Sequence, residues 1–291
     1  TLHNVFIFSG GKGKRMGIFK KNNVKAFAKI NSKKILINHI ENINKYLNVK
    51  KIFVIITEKK GFFEDQLKQF DNVEIISNKK DYTFKGIISG LNLIEEYVKN
   101  DEHFIIFLAD EYYDEKDFNE FCLKAKQIKK NESLIAIKKF RFPQEYFKNY
   151  SVSIDKKDNL ITETEEKNSK IISEYFGTGL MCLNNNLFKI LKKNNNKRPF
   201  YSLLKNLDKP QYFELKNDYI NINTKVDIYN LQKKNIQKDK LKIDVVIPAY
   251  NEEESIKYVI NDFKDFCDNV IVASKKPKDR TDEIILENNA K

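Results

Sequence analysis

Residues 5–17 read VFIFSGGKGKRMG. An apolar run ends in Gly10, Gly11 and Gly13, with Lys12, Lys14 and Arg15 set among and just after them. Glycine lets backbone N–H groups come close to anionic oxygens, and neighbouring cations reinforce the attraction. The chemistry this spacing suits is the holding of phosphate at the end of a buried strand. The whole chain has nine glycines in 291 residues, so three within four positions are not background. A plain strand-to-helix turn needs one glycine, not three flanked by cations. Two common phosphate loops do not fit. Counting from Gly10 or Gly11, a P-loop would need its second glycine where Arg15 or Met16 stands. A dinucleotide fingerprint built on Gly11 and Gly13 would need glycine at Met16, and no acidic residue follows at the expected distance, where KINSKK stands.

A third pattern does fit. Gly10-Gly11-x-Gly13-x-Arg15-Met16, with Lys25 in VKAFAKINSKKILINHI, resembles the nucleotidyltransferases that join an NTP to a phosphorylated sugar or alcohol. Their opening is Gly-Gly-x-Gly-x-Arg, then Pro-Lys-x-Leu and a polar turn into a helix; here Val24 replaces the proline. The resemblance continues in order. FIIFLADEYYD resembles the strand ending in a metal-binding aspartate, Asp110. DNLITETEEKN resembles the segment whose lysine holds the acceptor phosphate, Lys167. EYFGTGLMCL resembles the following Thr-Gly-aromatic strand, with Leu180 in the aromatic place. YININTKVDIYN puts a second metal ligand at Asp227 or nearby. YTFKGIISG resembles the stretch that holds base and ribose, with Gly86 allowing close approach.

The roles implied are physically coherent. One phosphate must attack another while pyrophosphate leaves in line, so catalysis is mostly charge neutralisation and positioning. Mg²⁺ takes one or two carboxylates plus phosphate oxygens, which Asp110 and Asp227 would supply. Arg15 would grip the triphosphate in bidentate fashion and Lys25 would stabilise the α-phosphate. Taken alone, Asp110 also reads as a helix cap and Lys167 as part of a solvated charge run. His3, His39 and His103 have no metal or catalytic spacing and read as structural.

The elements that must position these residues are short apolar runs alternating with helical stripes. Val5–Ser9, Lys51–Ile56, Val73–Ile76, Phe104–Ala109 and Leu134–Lys138 read as buried strands. Leu36, Ile40, Ile43 and Leu47 make one helical face; Ile87, Leu91, Ile94 and Val98 make another. Alternation of this kind implies right-handed βαβ units. From Tyr150 the strands YSVSID, LITETEE and TGLMCL lack long crossovers. Helices are expected at Leu187–Lys193 and Phe200–Leu207, then short strands QYFEL and YINI, then a helix from Asp227. The fold expected is α/β: a Rossmann-like, mixed and mainly parallel sheet with helices on both faces, plus a partial second βαβ unit.

The formal net charge is +12, but the basic residues are nearly all lysine, with arginine only at 15, 141, 198 and 280. Nucleic-acid sites favour arginine with clustered aromatics, so no nucleic-acid partner is expected. No apolar run reaches membrane-spanning length, and TLHNVFIFSGG carries no secretory signal. Cys122, Cys182 and Cys267 form neither a disulfide framework nor a zinc pattern, which suits the cytoplasm.

A lysine-rich stretch, Lys233–Lys242, reads as a linker, giving domains 1–238 and 239–291. The second opens IDVVIPAYNEEESI and resembles the start of family-2 inverting glycosyltransferases. Ala273-Ser274 stand where aspartates are usual, and no Asp-x-Asp follows, so residues 239–291 are not expected to transfer sugar. The resemblance implies a Mg²⁺-dependent nucleotidyltransferase using an NTP, CTP by preference, and a phosphorylated sugar, alditol or aminoalcohol, for surface polymer precursors. A sugar-1-phosphate guanylyl- or uridylyltransferase is the alternative. A reading of another class is a non-catalytic nucleotide-binding partner of a fused or separate glycosyltransferase.

Overall fold

The first strand of the computed structural model, β1 (His3–Ser9), builds two cores at once. Side chains alternate across a strand. Val5 and Ile7 therefore enter one apolar cluster, while Phe6 and Phe8 enter another on the opposite face. All four are buried. The same split repeats in the flanking strands, where Phe6 stacks on Phe53 at 5.0 Å and meets Phe104 edge-on at 6.0 Å. A sheet buried on both faces needs nearly continuous apolar strands, which explains the unbroken runs in the sequence.

The structure describes residues 3–9, 24–30, 32–77, 87–98, 103–141, 145, 149–166, 172–194, 198–223, 227–228 and 243–291. They fall into two units, Thr1–Asp227 and Ile228–Lys291. The expected boundary at 238 lies in a segment outside the described residues.

In the first unit β1 is followed by a hairpin of β2 (Lys29–Ile30) and β3 (Lys33–Lys34), then α1 (Ile35–Tyr46), β4 (Val49–Ile56), α2 (Lys60–Leu67), β5 (Val73–Ser77) and α3 (Ile87–Ile94). Next come β6 (His103–Leu108), β7 (Glu111–Tyr113), α4 (Glu115–Ala125), β8 (Ser133–Lys139), β9 (Tyr150–Asp155), β10 (Leu160–Glu165) and β11 (Tyr175–Asn184). The unit continues with α5 (Leu187–Asn194), β12 (Pro210–Glu214) and β13 (Tyr219–Asn221). Helices α1, α2 and α4 cover the Val5 face; α3, α5 and the 3₁₀ turn Tyr201–Asn206 cover the Phe6 face. That turn replaces the helix expected at Phe200–Leu207.

Among the described residues the main sheet has the order β5-β4-β1-β6-β11-β8-β12-β10-β9. The first four strands are parallel, and β11 runs antiparallel between β6 and β8. The sheet is thus mixed α/β, with helices on both faces. Strand order reverses between β1 and β6. Open α/β sheets bind ligands at the C-terminal ends of strands at such a reversal. β1 ends at Ser9 and Asp110 follows the end of β6 at this point.

The strand β11 is buried along its whole length, and its pairing with β8 shifts register between Gly177 and Met181. Two glycines make that irregularity possible. A Cβ on Gly177 would fall inside the Tyr150 ring. One on Gly179 would lie 2.9 Å from Glu111 Oε2 and against Leu108.

The second unit pairs β14 (Asp244–Ala249) and β15 (Asn269–Ser274) in parallel, with α6 (Ile256–Lys264) between them and α7 (Thr281–Glu287) after them. Its core is Ile256, Ile260, Val270 and Ile285. The helix expected from Glu252 begins at Ile256; the turn before it is closed by Ser255 N–H and Ile256 N–H donating to the Glu252 carbonyl at 3.0 and 2.8 Å, while Glu252 N–H donates to Thr281 Oγ1 at 2.7 Å. No helix among the described residues is long and apolar enough to cross a membrane.

Candidate active site

Sequence reasoning named Gly10, Gly11, Gly13, Arg15, Lys25, Gly86, Asp110, Lys167 and Asp227. Of these, Gly10, Gly11, Gly13, Arg15, Gly86 and Lys167 lie outside the described residues. The other three are brought to one place.

Lys25 opens a 3₁₀ turn, Lys25–Phe27, anchored by the burial of Ala26 and Phe27. Phe27 meets Phe62 and Phe63 edge-on at 5.3 and 5.2 Å, pinning the turn to α2. Val24 has φ −84° and ψ 130°, close to the conformation a proline would impose there. With its backbone fixed, the side chain reaches Asp110: Nζ lies 3.0 Å from Oδ2. It also donates to Asn223 Oδ1 at 3.4 Å.

Asp110 sits in the turn between β6 and β7. Ala109 N–H donates to the Phe8 carbonyl at 3.0 Å, so this turn lies beside the end of β1. The Asp110 carbonyl accepts from Ile222 N–H at 2.8 Å, extending the β7–β13 ladder. That ladder carries Asn221 and Asn223 to the same edge. Asn223 Nδ2 donates to Asn221 Oδ1 at 3.1 Å, and Asn223 N–H donates to Asp227 Oδ2 at 2.8 Å. Asp227 therefore joins the site through Asn223, one of its oxygens being occupied in holding that residue's backbone.

Next to Asp110, Glu111 is fully buried. Burial pushes its carboxyl up to about 7, with the Asp110 charge adding to the rise and hydrogen bonds from Tyr113, Gly179 and Tyr219 opposing it. Burial, and then the Glu111 charge, keep the Tyr113 and Tyr219 hydroxyls protonated well above their usual range. The histidines do structural work where described. His39 donates from Nε2 to the Glu111 carbonyl at 2.6 Å, and buried His103 meets the Glu132 carbonyl at 2.9 Å.

Sequence reasoning missed Asn223 and Glu111. Asn223 lies inside the YININTKVD stretch, but an amide beside an aspartate carries a weaker signal. Glu111 follows Asp110 directly, and nothing in ADEYY shows that one acid faces the site while the other is buried.

A family model described as Nucleotidyl transferase matches residues 4–214. The chain belongs to this family.

As a nucleotidyltransferase it is an enzyme, and its fold agrees. Residues covering 83% of the chain and 98% of the other match a Bacillus anthracis protein assigned as a glucose-1-phosphate thymidylyltransferase, at 17% identity and TM-score 0.69. The inositol-1-phosphate CTP transferase from T. maritima matches over 83% of this chain and 98% of its own, at 16% identity and TM-score 0.62. A UDP-glucose pyrophosphorylase solved with UDP-glucose matches over 81% and 98%, at 16% identity and TM-score 0.64. No curated protein sequence matches the chain. At such identities the solved nucleotidyltransferases share the fold; substrate does not follow from them.

Proposed function

We propose that this nucleotidyltransferase is Mg²⁺-dependent and joins CTP to a phosphorylated small molecule, releasing pyrophosphate, in making precursors for a surface polymer. The observation that carries the reading is the convergence of Asp110 Oδ2 and Asn223 Oδ1 on one cation, the Lys25 ammonium, at the reversal point of the sheet. The donors there are oxygens: the Asp110 carboxylate, the Asn223 amide oxygen and, behind them, Asp227. Such a set fits Mg²⁺, which accepts few protein ligands and keeps phosphate or water oxygens for the rest. When bound, the ion neutralises phosphate charge as pyrophosphate departs.

The protein's own groups do the remainder. Asp110 and Asn223 hold the ion, and Asp227 fixes Asn223. Lys25 shifts its charge from Asp110 to the α-phosphate, meeting the negative charge that grows during in-line attack. Arg15 and the Gly10–Gly13 backbone hold the β- and γ-phosphates, Gly86 admits the nucleoside, and Lys167 orients the acceptor phosphate. CTP rests on the resemblance of the motifs. The second reading is uridylyl or guanylyl transfer to a sugar-1-phosphate, which uses the same cation and phosphate sites. We place the enzyme in the cytoplasm; Cys122, Cys182 and Cys267 are free thiols. Residues 239–291 we read as the opening of a fused glycosyltransferase-like domain that takes no part in nucleotidyl transfer.

The test is pyrophosphate release from each of the four NTPs against phosphorylated sugars, alditols and aminoalcohols. Release with CTP and one acceptor class supports the reading. Release with UTP or GTP and a sugar-1-phosphate moves the enzyme to the second reading, and release from no pair overturns both.

A further inference from the structure

Glu111 is a buried carboxylate that the chemistry above does not use. Its side chain takes three hydrogen bonds, each from a different piece of the fold. Tyr113, on its own strand, donates to Oε2. Gly179 N–H, from the irregular part of β11, donates to the same oxygen at 2.9 Å. Tyr219, from β13, donates to Oε1 at 2.9 Å. The backbone is engaged as well: its carbonyl accepts from His39 of α1, and it pairs with Asn221 across the β7–β13 ladder.

A buried carboxylate is expensive to desolvate, and an apolar residue would fill the place at lower cost. What an apolar residue could not do is tie three chain segments to one point. Those segments are the ones that frame the site. Asp110 immediately precedes Glu111. Asn223 follows β13 by two residues. The third is the Thr178–Gly179 bulge, where Thr178 donates to Ala136 O at 3.1 Å and Tyr150 reaches Thr178 O at 3.0 Å. Gly179 has no side chain at the very place where Oε2 needs the room.

We propose that Glu111 is a positioning residue: its clamped carboxylate sets the spacing between Asp110 Oδ2 and Asn223 Oδ1, and holds both against the β11 bulge. This rests on the reading that those two oxygens seat a divalent cation. A group behind metal ligands acts on affinity through their orientation, and its loss typically weakens binding tenfold or more.

The test uses the full chain and Mn²⁺ as the probe, binding being followed by loss of the free-ion EPR signal with a CTP analogue carrying a methylene α–β bridge. Glu111→Gln keeps the shape and one good acceptor oxygen. It should fold with a melting temperature near wild type and bind the analogue without metal as wild type does. It should bind Mn²⁺ about tenfold more weakly, with pyrophosphate release falling in kcat. Tyr219→Phe, which removes one donor and leaves the strands, should weaken Mn²⁺ binding in the same sense by a smaller factor. It decides the matter if Glu111→Gln does not fold. Unchanged Mn²⁺ affinity in the folded variants overturns the proposal, and so does a wild-type chain that binds no Mn²⁺. A wild-type chain that binds Mn²⁺ but releases no pyrophosphate from any pair overturns the functional reading instead, while the Mn²⁺ comparison still decides the role of Glu111.

Discussion

Lys25 Nζ lies 3.0 Å from Asp110 Oδ2 across 85 residues of sequence, with both side chains largely shielded from solvent. The pair forms because the Lys25 turn is locked by buried Phe27 and Asp110 by the backbone bonds at Phe8 and Ile222. Lys25→Ala removes the cation that meets the α-phosphate and leaves Asp110 without its ammonium. We expect kcat/KM to fall by about a hundredfold or more, the scale of losing one transition-state donor. Circular dichroism should show the fold intact. A variant within a few-fold of wild type would remove Lys25 from the chemistry.

Asn223 and Asp227 should separate by the size of their effects. Asn223 presents its amide oxygen to the site, whereas Asp227 holds Asn223 through its backbone. Asn223→Ala should raise the Mg²⁺ concentration for half-maximal turnover by about tenfold or more, and Asp227→Asn, which can still accept from the Asn223 N–H, by less. Magnesium titrations of both variants check this. A larger effect at Asp227 would make it the direct ligand and Asn223 its neighbour.

Gly177 leaves room for Tyr150, whose hydroxyl is in turn fixed on Thr178. Gly177→Ala should destabilise the protein by about 1–3 kcal/mol, the usual cost of overfilling a packed site. Tyr150→Ala also destabilises, by opening a cavity. Combined, the two should cost clearly less than their sum, because the clash and the cavity cancel in part. Urea melts of the four proteins measure the coupling, and strict additivity would contradict it.

Burial holds the His39 imidazolium down at about 4. Below about 6.5 the unfolded chain takes up a proton that folded His39 refuses until about pH 4, so stability falls as pH falls through that window, by up to about 1.4 kcal/mol per unit. Glu111, raised to about 7, acts the other way: stability falls as pH rises from about 4.5 towards 7. The two oppose each other across much of the same range, so wild type alone is a poor reporter. His39→Gln keeps a donor for the Glu111 carbonyl without the titration. The stability of wild type relative to this variant should decline steadily from pH 6.5 to pH 4; a flat difference would contradict the assignment.

The sheet was legible because its strands are buried on both faces, leaving unbroken apolar runs such as FIIFLA. The stripes Leu36–Ile40–Ile43 and Leu91–Ile94–Val98 are buried as their spacing implied. Less visible was α2, whose Lys60–Leu67 sequence buries only Phe63 and Leu67. The short β7 was also hidden, since three residues cannot display a period. The structure gathers Lys25, Asp110 and Asp227, which stood out in the sequence because charged residues end apolar runs or sit in an ordered motif. Glu111 could not, because its role depends on Tyr219 and Gly179, which are distant in sequence and carry no charge to mark them.

Metal-dependent transfer through Asp110 is tested most directly by pyrophosphate release under the best NTP and acceptor pair, with wild type and Asp110→Asn compared in Mg²⁺ and after EDTA. EDTA should abolish wild-type release and added Mg²⁺ restore it, with Asp110→Asn lower by about a hundredfold or more although folded. Release that survives EDTA, or an Asp110→Asn enzyme as fast as wild type, would contradict it.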